Sequence, residues 1–312
     1  MTYLPGTTAD PDLAVFGALA PVLAEPGVSD VVVNGEELWV DRGNGCERLQ
    51  LWLGEPASDI ARRLIESGGR HIDEVSPIAD VRLGHTRVHA VLAPVASPAP
   101  LLSIRVIRPT ALSLDELERS GSFSASQAAR LRTAVASGTN LLISGGTGTG
   151  KTTVLRALLA LVPEQARIIT IEDLAELGVS HPHAISLEAR QHNIEGSGAI
   201  DLAELVRAAL RMRPDWLVLG ECRGREIAEF LSALNTGHSG GGTLHANTLA
   251  DVPTRLEGLG AIAGLSDAAL ARQAASAIGL IVHLERRDGV RRCSGIAALH
   301  LRDGRLSIEV EP

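Results

Sequence analysis

Lysine is nearly absent from this chain: of its 29 basic residues, Lys151 alone is lysine and the rest are arginine. A bias that favours arginine acted at every other basic position. What surrounds Lys151 must therefore need a compact ammonium that a planar guanidinium cannot replace. Aromatic residues make up 2% of the sequence, which leaves no stacking platform for single-stranded nucleic acid. The formal charge of −8 argues against bulk electrostatic binding to nucleic acid. Cys46, Cys222 and Cys293 are scattered, give no metal-ligand spacing and suggest a reducing compartment. No long hydrophobic run is present. The longest uncharged stretches, Phe230–Ala250, Thr133–Gly150 and Val88–Ile104, are rich in glycine and polar residues or broken by Pro94, Pro98 and Pro100. None reads as a membrane span. The start has neither a basic segment nor a sustained apolar run, so no signal peptide is expected and the protein reads as cytoplasmic.

What is present is enough apolar residue, 45% of 312, for two ordinary cores. Residues 1–108 read as a small α/β domain. A first helix is expected over Asp12–Leu23, interrupted by Pro21. Strands are expected at Val31–Val33 and Glu37–Asp41 around an Asn34–Gly35 turn, and again at Leu49–Leu53. A helix over Ser58–Glu66 stops at Gly68–Gly69. Arg87–Leu92 and Leu101–Ile107 alternate as half-buried strands. Arg108–Pro109 breaks the pattern, and 109–124 reads as a linker with a short helix. From 125 to 312 strands and helices alternate, the pattern of a mostly parallel sheet covered on both faces. Ser124 caps a helix over Ala125–Ala136. Leu141–Ser144, Arg167–Ile171 and Trp216–Leu219 read as strands, and Thr152–Leu161 and Leu202–Met212 as helices. Ile281–Val310 reads as antiparallel strands with a turn at Asp303–Gly304. Arg286, Arg287, Arg291 and Arg292 cluster near a hairpin turn and read as a solvated loop.

Gly145-Gly146-Thr147-Gly148-Thr149-Gly150-Lys151-Thr152-Thr153 satisfies G-x-x-x-x-G-K-[ST], with an apolar strand before it and a helix after it. Glycines let backbone N–H groups turn inward around a phosphate, and the helix N-terminus faces the anion. Lys151 would reach the β- and γ-phosphates, and the Thr152 hydroxyl would ligate Mg²⁺. ATP and Mg²⁺ are the expected ligands. Hydrolysis also needs a group that orients water and one that senses the γ-phosphate. Thr170-Ile171-Glu172-Asp173 and Leu217-Val218-Leu219-Gly220-Glu221 both place an acid at the end of an apolar strand, where groups on parallel sheets project. Alone, an acid after a strand is more often a helix cap or surface turn. His238 and His245 flank a run of glycines, and His245 follows a short strand that could bring it to the phosphates.

In that order the P-loop, Thr170–Leu177, Leu217–Arg223 and Asn235–Asn247 resemble the Walker A, Asp, Walker B and His boxes of the secretion ATPase superfamily, nearest the CpaF/TadA type of Flp pili and conjugal-transfer relatives. Val28–Gly35, Asp80–Leu83, Arg87–Val91, Leu102–Arg105 and Arg211–Asp215 extend the likeness over nearly the whole chain. The resemblance implies an α/β fold with a PAS-like N-terminal domain and a RecA-like P-loop C-terminal domain. It implies a homohexamer, with nucleotide between the two domains. It further implies a membrane platform protein of a pilus or secretion machine as partner, at the cytoplasmic membrane face. Glu172 would orient water, Glu221 would hold the Mg²⁺ water shell, and His245 would sense the γ-phosphate. Arg87 and Arg105 would neutralise phosphate charge. The chain departs from the pattern in a His box one residue short, and in Ser239 standing where an acid is common. Three scattered cysteines rule out the four-cysteine zinc cluster of many relatives. A RecA-type nucleic-acid motor and a nucleotide-gated switch with little hydrolysis are the alternative functions.

Overall fold

The computed structural model describes residues 11–43, 45–106, 112–190, 198–287 and 289–311. The expected break at Arg108–Pro109, with Ile107 before it, lies outside them. The chain divides into two compact units, one holding the described residues up to Val106 and the other those from Leu112 onward.

In the first unit a 3-10 segment, Pro11–Leu19, leads into α1 (Ala20–Ala24). The helix breaks at Gly17, whose φ of 55° leaves the helical region, and not at Pro21. Pro21 sits in the first turn of α1, where its missing N–H has no helical partner to lose. There follow β1 (Asp30–Asn34), β2 (Glu37–Asp41), β3 (Cys46–Leu49), α2 (Ala57–Ser67), β4 (Ile78–Leu83), β5 (Thr86–Val91) and β6 (Leu101–Val106). The sheet runs β3-β2-β1-β6-β5-β4, every pair antiparallel. Asn34 pairs with Glu37, so the two-residue turn is Gly35–Glu36, one position later than the sequence suggests. The third strand ends at Leu49. Leu53 is buried from a loop, so the alternation of Leu49, Leu51 and Leu53 does not mark a strand over that range. Ile60, Leu64 and Ile65 of α2 cover Val31, Val33, Val88 and Ile104 of the sheet.

The second unit contains α3 (Leu114–Arg119), α4 (Ala125–Ala136), β7 (Leu141–Gly145), α5 (Lys151–Leu159), β8 (Ile168–Glu172) and β9 (Ala184–Glu188). It continues with α6 (Leu202–Ala209), β10 (Trp216–Cys222), α7 (Glu226–Asn235), β11 (Ser239–His245), α8 (Val252–Ile262) and α9 (Asp267–Ala277). Last come β12 (Leu280–Arg287), β13 (Val290–Arg302) and β14 (Arg305–Val310). Ser124 caps α4 in a capping box with Gln127. The strand order is β14-β13-β12-β7-β11-β10-β8-β9. From β12 to β9 the strands are parallel, while β13 and β14 run antiparallel. The expected antiparallel strands of the C-terminus are present, β12 with β13 and β13 with β14, and β12 in addition pairs parallel with β7 and so joins them to the parallel sheet.

Alternate residues of one strand serve opposite cores, as the strand period requires. Leu141 and Ile143 pack with Leu155 and Leu158 of α5. Leu142 packs on the other face in the core that holds Leu270 and Ala274 of α9. The parallel strands deliver the C-terminal ends of β7, β8, β10 and β11 to one edge, and with them Gly145, Glu172, Glu221 and His245. No described helix is long and apolar enough to cross a membrane.

Candidate functional site

β7 ends at Gly145, whose φ of 152° no ordinary side chain adopts comfortably. A Cβ there would lie 2.4 Å from the Leu284 carbonyl oxygen and 2.7 Å from Thr149 Oγ1. The loop thus presses directly on β12. Gly150 is the N-cap of α5 and offers no side chain to its first turn. The N–H groups of that turn have no acceptor within the helix. An uncapped helix N-terminus, a left-handed glycine (φ 96° at Gly150) and an adjacent ammonium form a cradle suited to phosphate.

Lys151 is buried, and its Nζ donates to the carbonyls of Gly145 (3.0 Å) and Gly146 (2.8 Å). It also donates to His245 Nδ1 at 3.3 Å. The other ring nitrogen of His245, Nε2, donates to Glu221 Oε1 at 3.3 Å. Glu221 Oε2 accepts from Arg223 Nη2 at 2.8 Å, and Arg223 reaches Asp173 at 3.2 Å. This chain of contacts needs a neutral imidazole that accepts at Nδ1. The electrostatics agree: burial first, and then the Lys151 charge, hold His245 below the usual histidine range. Burial likewise pulls the Lys151 ammonium down, against the opposing charge of Glu221.

A register shift explains how Glu221 reaches the histidine. Leu219 pairs with Gly242 and Cys222 with Leu244, so Gly220 and Glu221 together oppose the single residue Thr243. Such a bulge re-aims a side chain. Thr243 Oγ1 closes it with a 2.6 Å bond to the Gly220 carbonyl. Glu226 stiffens the following turn by accepting the N–H groups of Arg223 (2.6 Å) and Gly224 (2.7 Å).

Glu172 is buried at the end of β8. Its Oε1 accepts the N–H groups of Glu176 (3.0 Å) and Leu177 (2.9 Å). The buried Arg156 of α5 donates to the Leu177 carbonyl and, at 2.8 Å, to that of Glu176. The segment after β8 is therefore held from both sides. Gly220 leaves the room that Glu172 occupies, since a Cβ there would lie 2.7 Å from Glu172 Cγ.

Thr152 and Thr153 sit half-buried in the first turn of α5. Among the described residues no group of three or more histidine, cysteine or acidic side chains could cage a metal. The Thr152 hydroxyl and the Glu221 carboxylate are hard oxygen donors, the type Mg²⁺ takes when substrate phosphates and water complete its shell. The donor set and the cradle fit the pair ATP and Mg²⁺.

Arg87 and Arg105 face each other across β5 and β6 in the first unit. Arg87 pairs with Asp80 at 3.3 Å and Arg105 with Asp30 at 2.9 Å. His238 stands at the opposite end of β11 from His245 and donates from Nδ1 to the Ala233 carbonyl at 3.1 Å. The sequence assigns no role to three further arginines, although Arg223 closes the segment Leu217–Arg223. Arg223 joins the Glu221 chain, and Arg255 Nε donates to the His245 carbonyl at 3.0 Å. Arg291, expected in a solvated loop, donates from Nε to the Gly148 carbonyl of the P-loop at 3.0 Å. Beside the loop a cleft of about 410 Å³ opens between Gly146, Thr147, His245, Asn247, Thr254 and Arg255.

The type II/IV secretion system protein family matches residues 15–295. A Mycobacterium tuberculosis protein named for conjugal transfer is similar, 43% identical over 307 residues, covering 95% of this chain and 87% of its own. The type IV secretion system protein PtlH of Bordetella pertussis is 31% identical over 325 residues, with 92% of this chain and 94% of PtlH covered. Among solved structures, the Legionella pneumophila ATPase DotB aligns with a TM-score of 0.62 at 19% identity, over 96% of this chain and 84% of that one. The pilus retraction motor PilT with bound ADP aligns at 0.61 and 22% identity, over 94% and 81%. Both share its α/β fold.

Proposed function

The chain belongs to the type II/IV secretion system protein family, and on that premise we propose that it binds ATP with Mg²⁺ and hydrolyses it to power secretion, conjugation or pilus assembly. The contact chain from Lys151 through His245 to Glu221, at the mouth of an uncapped helix, carries this reading. The second unit is read as a RecA-like P-loop domain and the first as a PAS-like one. Six copies would form the working ring against a platform protein at the cytoplasmic membrane face.

Each residue has a proposed part. Lys151 moves from loop carbonyls to the β- and γ-phosphates, a short exchange of one set of oxygen acceptors for another. Once Lys151 leaves it, His245 would register a γ-phosphate by turning an N–H donor toward the phosphate oxygens, in the tautomer or charge state protonated at that nitrogen. Mg²⁺, when bound, neutralises phosphate charge, with Thr152 and Glu221 holding it. Glu172 orients the attacking water, and its bonds to Glu176 and Leu177 tie its position to the segment after β8. Arg87 and Arg105 are proposed, from the family likeness, to offset phosphate charge.

Steady-state phosphate release and nucleotide binding test the scheme on the full chain. Lys151→Ala should lose binding. Glu172→Gln should keep it and lose turnover by about 10²–10⁴, the weight of general base catalysis. Arg105→Ala should reduce turnover more than binding. No turnover from the unaltered protein, with Glu172→Gln indistinguishable from it, would end the motor reading.

A further inference from the structure

A nucleotide laid along the N-terminus of α5 has two ends, and β7 has two flanks. On one flank lie β11, β10 and β8 with His245, Glu221 and Glu172. Lys151 Nζ points to that side, 3.3 Å from His245. The reacting phosphate belongs there, so the nucleoside must leave over the other flank, where β12 and β13 stand.

That flank is not bare. Leu284 is level with Gly145, and beyond it the β12–β13 hairpin continues past the P-loop with Arg286 opposite Arg291. Arg291 crosses from the hairpin to the loop. Its Nε bonds the Gly148 carbonyl at 3.0 Å, and its Cδ is 3.5 Å from the position where Gly150 lacks a Cβ. The glycine at 150 thus serves twice, at the helix cap and as room for this side chain. A guanidinium has five N–H donors and a flat, weakly hydrated face that stacks on aromatic rings. One donor is used on the loop.

We propose that Arg291 recognises the nucleoside end of the bound nucleotide, its guanidinium lying on the base while Nε stays on Gly148. This rests on the nucleotide-binding reading above. It adds to that reading a base-side contact supplied by the β12–β13 hairpin. The hairpin and the P-loop would then close on one ligand from opposite sides of the base.

Calorimetric titration of the full chain with ADP and, separately, with inorganic tripolyphosphate tests the idea, because tripolyphosphate has no nucleoside to lose. In Arg291→Ala, ADP should bind about tenfold more weakly, the scale of one desolvated cation–π contact. Tripolyphosphate should change by less than about twofold, well under that same scale. Arg291→Gln keeps an amide donor for the Gly148 carbonyl but lacks the charged plane, so it should fall with Arg291→Ala. Lys151→Ala should weaken both ligands. Unchanged ADP affinity in Arg291→Ala would overturn the proposal. Equal weakening of ADP and tripolyphosphate would also overturn it, leaving only a brace for the loop. Failure of the unaltered protein to bind either ligand would remove the nucleotide reading, and this inference with it.

Discussion

Lys151 satisfies three acceptors with one nitrogen: two carbonyls of its own loop and one imidazole. A tetrahedral ammonium can do that in a narrow space, because its donors diverge from a point. A guanidinium spreads its donors in a plane and is bulkier. Lys151→Arg keeps the charge, yet it should be unable to reach both the Gly145–Gly146 carbonyls and His245. The expected result is a fall in turnover of about 10²–10³, comparable with losing one preorganised donor to developing charge. Phosphate-release kinetics on purified Lys151→Arg check this. Activity within tenfold of the parent would mean that net charge alone matters, and that the solitary lysine is an accident of composition.

At the scale of elements, what could be read from the sequence was what is written contiguously. The P-loop needs its glycines and lysine in one short segment, so pattern and structure coincide at Gly145 to Thr153. α4 was legible because Ser124 and Gln127 announce its cap. α8 and α9 were missed for a physical reason. Gly260 of α8 lies so close to α9 that a Cβ would be 2.9 Å from Leu270 methyl carbons. The close approach requires small residues, and these dilute the apolar stripe that marks a helix. Arg291 was hidden because its contact with Gly148 joins segments far apart in sequence, whereas Arg223 and Arg255 reach Glu221 and His245 over two and ten residues and lacked only a pattern that assigns them a partner.

His283 on β12 belongs with these hidden residues. It is fully buried, directly opposite Ser144 of β7, with Nδ1 2.9 Å from the Ser144 hydroxyl. Burial pushes its pKa below the ordinary histidine value. The charges of Glu285 and Asp251 oppose this shift, and that of Lys151 adds to it. The unfolded chain then binds the proton more readily than the folded one. Stability is complete above the unfolded histidine value and is lost as pH falls through the folded one. Between about pH 7.5 and about pH 5, the urea midpoint of the parent should therefore fall further than that of His283→Gln, which has no group to titrate there. Parallel midpoint curves for the two proteins would show that His283 takes up a proton in the folded chain as readily as in the unfolded one.

At the scale of the whole molecule, charge sets the partners the chain can hold. The alternative reading as a nucleic-acid motor makes DNA the partner to test. The net charge of −8 and the scarcity of aromatic residues both work against it. Sequence-independent binding depends on neutralising phosphates and releasing counterions, and the affinity falls steeply with salt in proportion to the contacts made. Single-strand binding adds aromatic stacking, for which this chain has few residues. A labelled single-stranded oligonucleotide should show no anisotropy change at about 50 mM salt, and its presence should leave ATP turnover unaltered. DNA-stimulated turnover with a steep salt dependence would displace the secretion-motor reading in favour of a nucleic-acid motor. It would not touch Lys151, because both kinds of motor need the same phosphate contact, whereas the parts proposed for Glu221 and His245 rest on the secretion likeness. Whether turnover responds to DNA therefore separates what the machine moves from how it uses ATP.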